Sequence, residues 1–347
     1  MGTPLVSVVM SVYNAGPYLG EAVESILRQT FRDFEFIIIN DGSTDGSLEL
    51  LDYYAGLDKR IRLVHQHNQG IPAALNRGID LAKGGYIARM DADDISLPER
   101  LEKQYAFLES HPQVAVLGSQ IDSIDHAGLQ IDRKWALPSS AGLVAWRMLF
   151  RTSVAHPTVM MRSDVVRKFN GYSLACRVSQ DHELWTRMIS SCRIQNHQDV
   201  LLKRRVWGGN ATFTKAISAD GPLLPSLQEL HGRYVDQLAD LRDLQFCRNF
   251  VYYGMSKSME YAKYSVADLQ RVFSYIQELR KGFVRKHPYA YEDEAKILKD
   301  EHKKLMDIAY GVDSFSRVKG LALKLKTPFF VSQVKSRLHD RYFFRHG

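Results

Sequence analysis

Phe34-Glu-Phe-Ile-Ile-Ile-Asn-Asp-Gly-Ser-Thr-Asp45 is the stretch that decides the fold class. Its first six residues are apolar apart from one Glu, without the polar alternation of a half-wet strand, and the run then breaks into turn chemistry. Such a segment is a strand buried on both faces that ends in a polar loop. Working outward, residues 5–12 repeat the pattern, and 20–29 carry helical spacing in Ala22, Val23, Ile26 and Leu27. Residues 46–55 predict a helix, 61–65 a strand, 71–83 a helix and 86–90 a fourth strand. Buried strands alternating with amphipathic helices imply a Rossmann-like α/β fold, a mostly parallel central sheet flanked by helices. In such sheets ligands bind beyond the carboxyl ends of the strands.

Further along, the spacing predicts a helix over 98–110, a strand over 114–121, a strand near 158–161 and a helix over 181–189. A strand pair follows near 193–197 and 201–206, and residues 223–310 read as helical throughout. The Gly, Ala, Ser and Pro content of 208–225 marks a boundary, giving an α/β domain over 1–215, a helical region over 216–314 and a tail over 315–347.

The charge divides along the same lines. The 347 residues carry +7, but residues 1–221 hold 24 basic and 24 acidic side chains, and 222–314 hold 14 of each. The last 33 residues hold 8 basic groups and one acid, Asp340, so the whole excess lies there. A neutral body offers no basic field for nucleic acid. In the tail, Phe330, Val334, Leu338 and Tyr342 recur at i, i+4 with Lys335, Arg337, Arg341 and Arg345 off that stripe. This is either a basic amphipathic helix suited to an anionic membrane surface or a terminal helix docked on the body. Cys176, Cys192 and Cys247 are odd in number and widely spaced, which reads as reduced thiols. With no basic stretch leading into an apolar core at the start, and no apolar run near 20 residues, the expectation is a cytoplasmic protein, peripheral at the inner face of the cell membrane.

Three strand ends carry the chemistry. Asp91, Asp93 and Asp94 follow the fourth strand directly, and their mutual repulsion calls for a cation or a set of donors. A divalent metal bridging a diphosphate fits, and so does the start of a helix, for which Ser96 and Glu99 form a capping box. Asp41 to Asp45 is on its own a turn, but beside Tyr13-Asn14 it makes a nucleoside pocket, with a carboxylate for a base edge and an aromatic face for stacking.

Val6-Ser-Val-Val-Met-Ser-Val-Tyr-Asn14, Ile37-Ile-Ile-Asn-Asp-Gly-Ser-Thr-Asp45 and Tyr86-Ile-Ala-Arg-Met-Asp-Ala-Asp-Asp94 together resemble glycosyltransferase family 2, inverting enzymes with the nucleotide-sugar-binding GT-A fold. The resemblance continues through Ser96-Leu-Pro-Glu-Arg-Leu-Glu-Lys-Gln104, His156-Pro-Thr-Val-Met160 and Gln180-Asp-His-Glu-Leu-Trp-Thr-Arg187, covering residues 4–207. It implies that Tyr13 and Asp41 hold the base, with Ser11, Val12 and Asn14 lining the pocket. It also implies that Asp91 and Ala92 face the donor, Asp91 reaching the ribose or a metal's water shell, and that Asp93 coordinates Mn²⁺ or Mg²⁺. Asp181 falls on the family's general base, while its position also suits a helix N-cap.

Three departures stand out. Gln180 replaces the Glu of the family's Glu-Asp pair. Leu75 sits where many members have an Arg near the donor. Trp207 stands where a His is common, and Arg204 and Arg205 beside it are either phosphate partners or a solvated strand edge. His156 and Trp185 are each open between a packing role and an acceptor contact. The resemblance implies transfer from a nucleotide sugar, in first place a UDP-sugar, to a saccharide or lipid-linked saccharide in O-antigen, capsule or exopolysaccharide synthesis. The alternatives are an inactive binding or regulatory relative and a sugar nucleotidyltransferase.

Overall fold

The computed structural model describes residues 2–132, 135–149, 152–176, 179–208 and 266–301. Its chain falls into two compact units, residues 1–227 and 228–347. In the first unit, strands β1 (Val6–Val12), β2 (Phe34–Asn40), β3 (Ile61–His65) and β4 (Tyr86–Met90) alternate with helices α1 (Leu19–Leu27), α2 (Ser47–Leu57) and α3 (Ile71–Leu81). A short β5 (Ile95–Ser96) leads into α4 (Arg100–Ser110), then β6 (Val114–Ile124) and β7 (Gln130–Ile131). Helix α5 (Ala141–Met148), β8 (Met160–Arg162), α6 (Ser163–Lys168), α7 (Gln180–Ile189) and β9 (Arg193–Arg205) complete it. The second unit contributes α8 (Val266–Lys286).

The nine strands form one sheet in the order β3-β2-β1-β4-β8-β6-β9-β5, with β7 paired to β6. Strands β3, β2, β1 and β4 run parallel, β8 is antiparallel to both β4 and β6, and β9 is again parallel to β6. Alternation within β1 serves both faces. Val6, Val8, Met10 and Val12 join the core under α1 and α4, while Val9 meets α3, where Gly78 lies so close that a Cβ would stand 2.3 Å from Val9 Cγ1. Continuous apolar strands are what a sheet covered on both faces requires. Because four neighbouring strands are parallel, their carboxyl ends, and the loops that follow β1, β2 and β4, open on one edge.

Two local expectations give way. The capping box does not form, because Ser96 lies in β5 and its hydroxyl accepts from Gln29 Nε2 at 3.1 Å. Gln29 caps α4 instead, its Oε1 accepting from Leu101 N–H at 3.0 Å, while Glu99 pairs with Lys103 in solvent. The expected strand pair at 193–206 is a single strand, β9. Its register against β6 jumps from Ser119↔His197 to Gln120↔Val200, a bulge stabilised by Asp199 N–H donating to His197 Nδ1 at 3.1 Å. The helical region over 216–314 falls within the described residues only at 266–301, and the tail over 315–347 lies outside them, as does Cys247.

Candidate active site

At the end of β1, Ser11 is half-buried and Val12 is fully buried, so the Val12 side chain belongs to the core and only its backbone serves the pocket, the carbonyl accepting from Asp41 N–H at 2.8 Å. Tyr13 is 52 % exposed, its ring open for stacking. Asn14 adopts φ +48° and ties the β1 loop to the β2 loop. Its side-chain oxygen accepts from Thr44 N–H at 2.8 Å, and its own N–H donates to Ser43 Oγ at 3.1 Å.

Asp41 is buried and heavily engaged. Its Oδ1 accepts from Gln66 Nε2 at 2.7 Å and Gln69 N–H at 2.9 Å, and Oδ2 from Gly70 N–H at 2.8 Å. A carboxylate accepts at about four sites, so Asp41 both anchors the 66–70 loop and keeps an acceptor on Oδ2. Gly42, at φ +78°, lets that loop approach, since a Cβ there would stand 2.9 Å from Asn68 N.

The acidic loop follows β4. Asp91, Asp93 and Asp94 each present one carboxylate oxygen, and these atoms lie within 4.8 Å of one another. Asp91 is partly exposed and paired with the buried Arg89. Burial raises the Asp93 carboxyl, with the neighbouring Asp91 charge adding to it. Asp94 is driven well above the ordinary range by burial and then by Asp91 and Asp93. Its Oδ2 is buried without a hydrogen-bond partner. Repelling carboxylates with an orphaned oxygen are the donor set a divalent cation would neutralise. Ala92 is half-buried between them.

Asp181 lies in the first turn of α7. The N-cap position belongs to Ser179, held at φ +57°, so Asp181 is not the cap, and its carboxylate accepts from the His182 backbone N–H. Burial raises its carboxyl, Arg89 lowers it and Asp91 raises it again, which places the acidic loop and α7 within electrostatic reach of each other.

The remaining candidates resolve into structure. His156 Nε2 is 2.8 Å from the Tyr172 hydroxyl, and burial, then Arg89, holds the imidazole well below its usual range, hence neutral. Trp185 is fully buried in α7, edge-on to His156 with centroids 6.2 Å apart, so it is packing rather than an acceptor platform. Arg205 is not available to a diphosphate. Its guanidinium donates to the carbonyls of Asp93 (3.1 Å), Asp125 (3.2 Å) and His126 (3.3 Å) and pairs with Glu21. Period-two alternation turns Arg204 the other way, onto the Trp135 ring at 5.1 Å.

The sequence reading passes over Arg89 and the 66–70 loop. A lone cation inside the apolar run Tyr86-Ile-Ala-Arg-Met90 is a visible signal for the first. Nothing in the spacing marks Gln66 or Gln69, which reach Asp41 only through the β3–α3 connection. Among the described residues no helix is long and apolar enough to cross a membrane.

Comparison with known proteins follows the same lines. The family model for Glycosyl transferase family 2 matches residues 7–169. The putative glycosyltransferase EpsE of Bacillus subtilis is 38% identical over 207 residues, 58% of this chain and 73% of that one. The O-antigen biosynthesis glycosyltransferase WbnJ of Escherichia coli is 34% identical over 207 residues, 58% of this chain and 80% of its own. Among solved structures, S. aureus TarS 1–349 in complex with UDP-GlcNAc superposes with TM-score 0.57 over 88% of this chain and 92% of TarS 1–349, at 18% identity. The sheet with its one open edge of loops, the acidic turn after β4 and these likenesses agree: the chain belongs to glycosyltransferase family 2 and carries the GT-A fold.

Proposed function

We propose that this glycosyltransferase is an inverting, metal-dependent enzyme that moves a sugar from a nucleotide sugar, in first place a UDP-sugar, to a hydroxyl of a saccharide carried on a lipid during surface-polysaccharide assembly. The observation that carries the reading is the cluster of Asp91, Asp93 and Asp94 carboxylates at the carboxyl edge of a parallel sheet, within electrostatic reach of the half-buried Asp181. The relatives EpsE and WbnJ support the polysaccharide setting, and the UDP-GlcNAc bound by TarS supports the donor class.

Tyr13 stacks on the base and the remaining acceptor of Asp41 takes a donor from its edge, while Asp91 faces the ribose. Asp93 would hold Mn²⁺ or Mg²⁺, which when bound supplies positive charge to the departing diphosphate. Asp181 takes the proton of the acceptor hydroxyl as that oxygen attacks the anomeric carbon from the face opposite the nucleotide. Its raised carboxyl makes it a stronger base than a surface aspartate, and the hydroxyl becomes acidic as the bond forms. Direct attack by the hydroxyl inverts the configuration at that carbon.

A panel of nucleotide sugars tests the reading, with Mn²⁺-dependent release of nucleoside diphosphate as the signal. At least one donor should turn over, and Asp93→Ala should slow it about 100-fold, equivalent to about 2.7 kcal/mol of barrier. A nucleotide that binds while no donor is hydrolysed or transferred would make the chain a binding module instead.

A further inference from the structure

The three acidic side chains share a feature that the metal assignment does not use. Asp91 Oδ1 is taken by Arg89, Asp94 Oδ1 by the Arg205 N–H at 2.8 Å, and Asp93 Oδ2 by the indole Nε1–H of Trp207 at 2.8 Å. One oxygen of every carboxylate therefore accepts from a protein donor, which takes one of its lone pairs and weighs against chelation of a cation by both oxygens. Ca²⁺ takes six to eight oxygens and draws on bidentate carboxylates, whereas Mg²⁺ and Mn²⁺ suit six-coordinate sites.

We propose that Trp207 is a specificity-determining residue that keeps Asp93 monodentate and so turns the site toward small octahedral cations and away from Ca²⁺. The inference rests on the metal reading of the acidic loop given above. An indole donates and cannot ligate, so Trp207 acts on the carboxylate and not on the ion. Its ring is held in place for that task. It packs edge-on to Tyr18 with centroids 4.9 Å apart, and Tyr18 lies under the Arg205 guanidinium at 4.4 Å. Arg205 is itself fastened to Glu21 and to the Asp93 carbonyl. The end of β9 thus fixes both the backbone and the side chain of Asp93.

The test is direct titration of Mn²⁺ and of Ca²⁺ into the full chain by calorimetry, with and without UDP, for wild type, Trp207→Phe and Asp93→Ala. Trp207→Phe keeps a ring on Tyr18 and removes the indole donor. Wild type should bind Mn²⁺ more tightly than Ca²⁺, and Trp207→Phe should narrow that ratio about 10-fold or more, chiefly by gaining Ca²⁺ affinity. Trp207→Leu, with no donor either, should narrow it in the same sense, and thermal melting establishes that each variant is folded. An unchanged ratio in both folded variants overturns the role of Trp207 and leaves the metal site standing. Wild type that binds no Mn²⁺, or binds it as well after Asp93→Ala, overturns the metal reading and this inference with it.

Discussion

Arg89 is the side chain whose cost and use separate most cleanly. It is 5 % exposed within β4, pairs with Asp91, and leaves Nε and Nη1 without partners among Val9, Leu75, Ile79, Ile87, Met161 and Tyr172. Unpaired buried N–H groups cost about 1–3 kcal/mol each, so Arg89 is retained against stability. Arg89→Met would fill apolar surroundings with an apolar side chain, and Asp91, one-third exposed, can be solvated once its partner is gone. The expected outcome is a melting temperature equal to or above wild type with transfer about 10- to 100-fold slower, because Asp91 loses the group that orients it. A lower melting temperature with unchanged transfer would make Arg89 structural. Much of the site was legible at this level: three aspartates after a buried strand declare themselves by their repulsion. Trp207, by contrast, reads as a missing His until the fold brings β9 back across the sheet to Asp93.

Helix α7 and strand β9 carry the chemistry to the sheet edge and make two further predictions. Asp181, raised by burial, accepts a proton only when ionised. Activity should therefore fall on the acid side at a pH above the ordinary carboxylate range near 4, and Asp181→Asn should remove the part of that limb due to Asp181, leaving the part set by the raised Asp93 and Asp94 carboxyls. Burial holds His156 well down and takes His182 to about 4, so neither imidazole supplies a competing near-neutral transition. A limb in kcat/KM that is unchanged in Asp181→Asn residual activity would reassign the base. On β9, Arg205→Met leaves the carbonyls of Asp93, Asp125 and His126 without that donor, and thermal or urea denaturation should show a loss of about 3 kcal/mol. The strands and helices of the first 110 residues were readable because each is a long run of one period. The bulge in β9 and the Gln29 cap were not, since a two-residue slip and a contact 72 positions apart leave no local pattern.

Taken as a molecule, the protein joins a catalytic unit of balanced charge to a chain end that carries all of the +7. The tail over 315–347 lies outside the described residues; we propose an anionic membrane surface as its partner, on its basic excess and amphipathic spacing. Deleting it should abolish binding to vesicles rich in anionic lipid and spare UDP binding; vesicle binding that survives the deletion would remove the membrane from the account. The catalytic claim meets its most direct test in Asp181→Asn, measured side by side for UDP binding in Mn²⁺ and for transfer from the cognate nucleotide sugar. The account expects UDP affinity within about twofold of wild type and transfer reduced by about 100-fold or more, the contribution of a positioned base. Transfer at the wild-type rate by the Asn variant would contradict it.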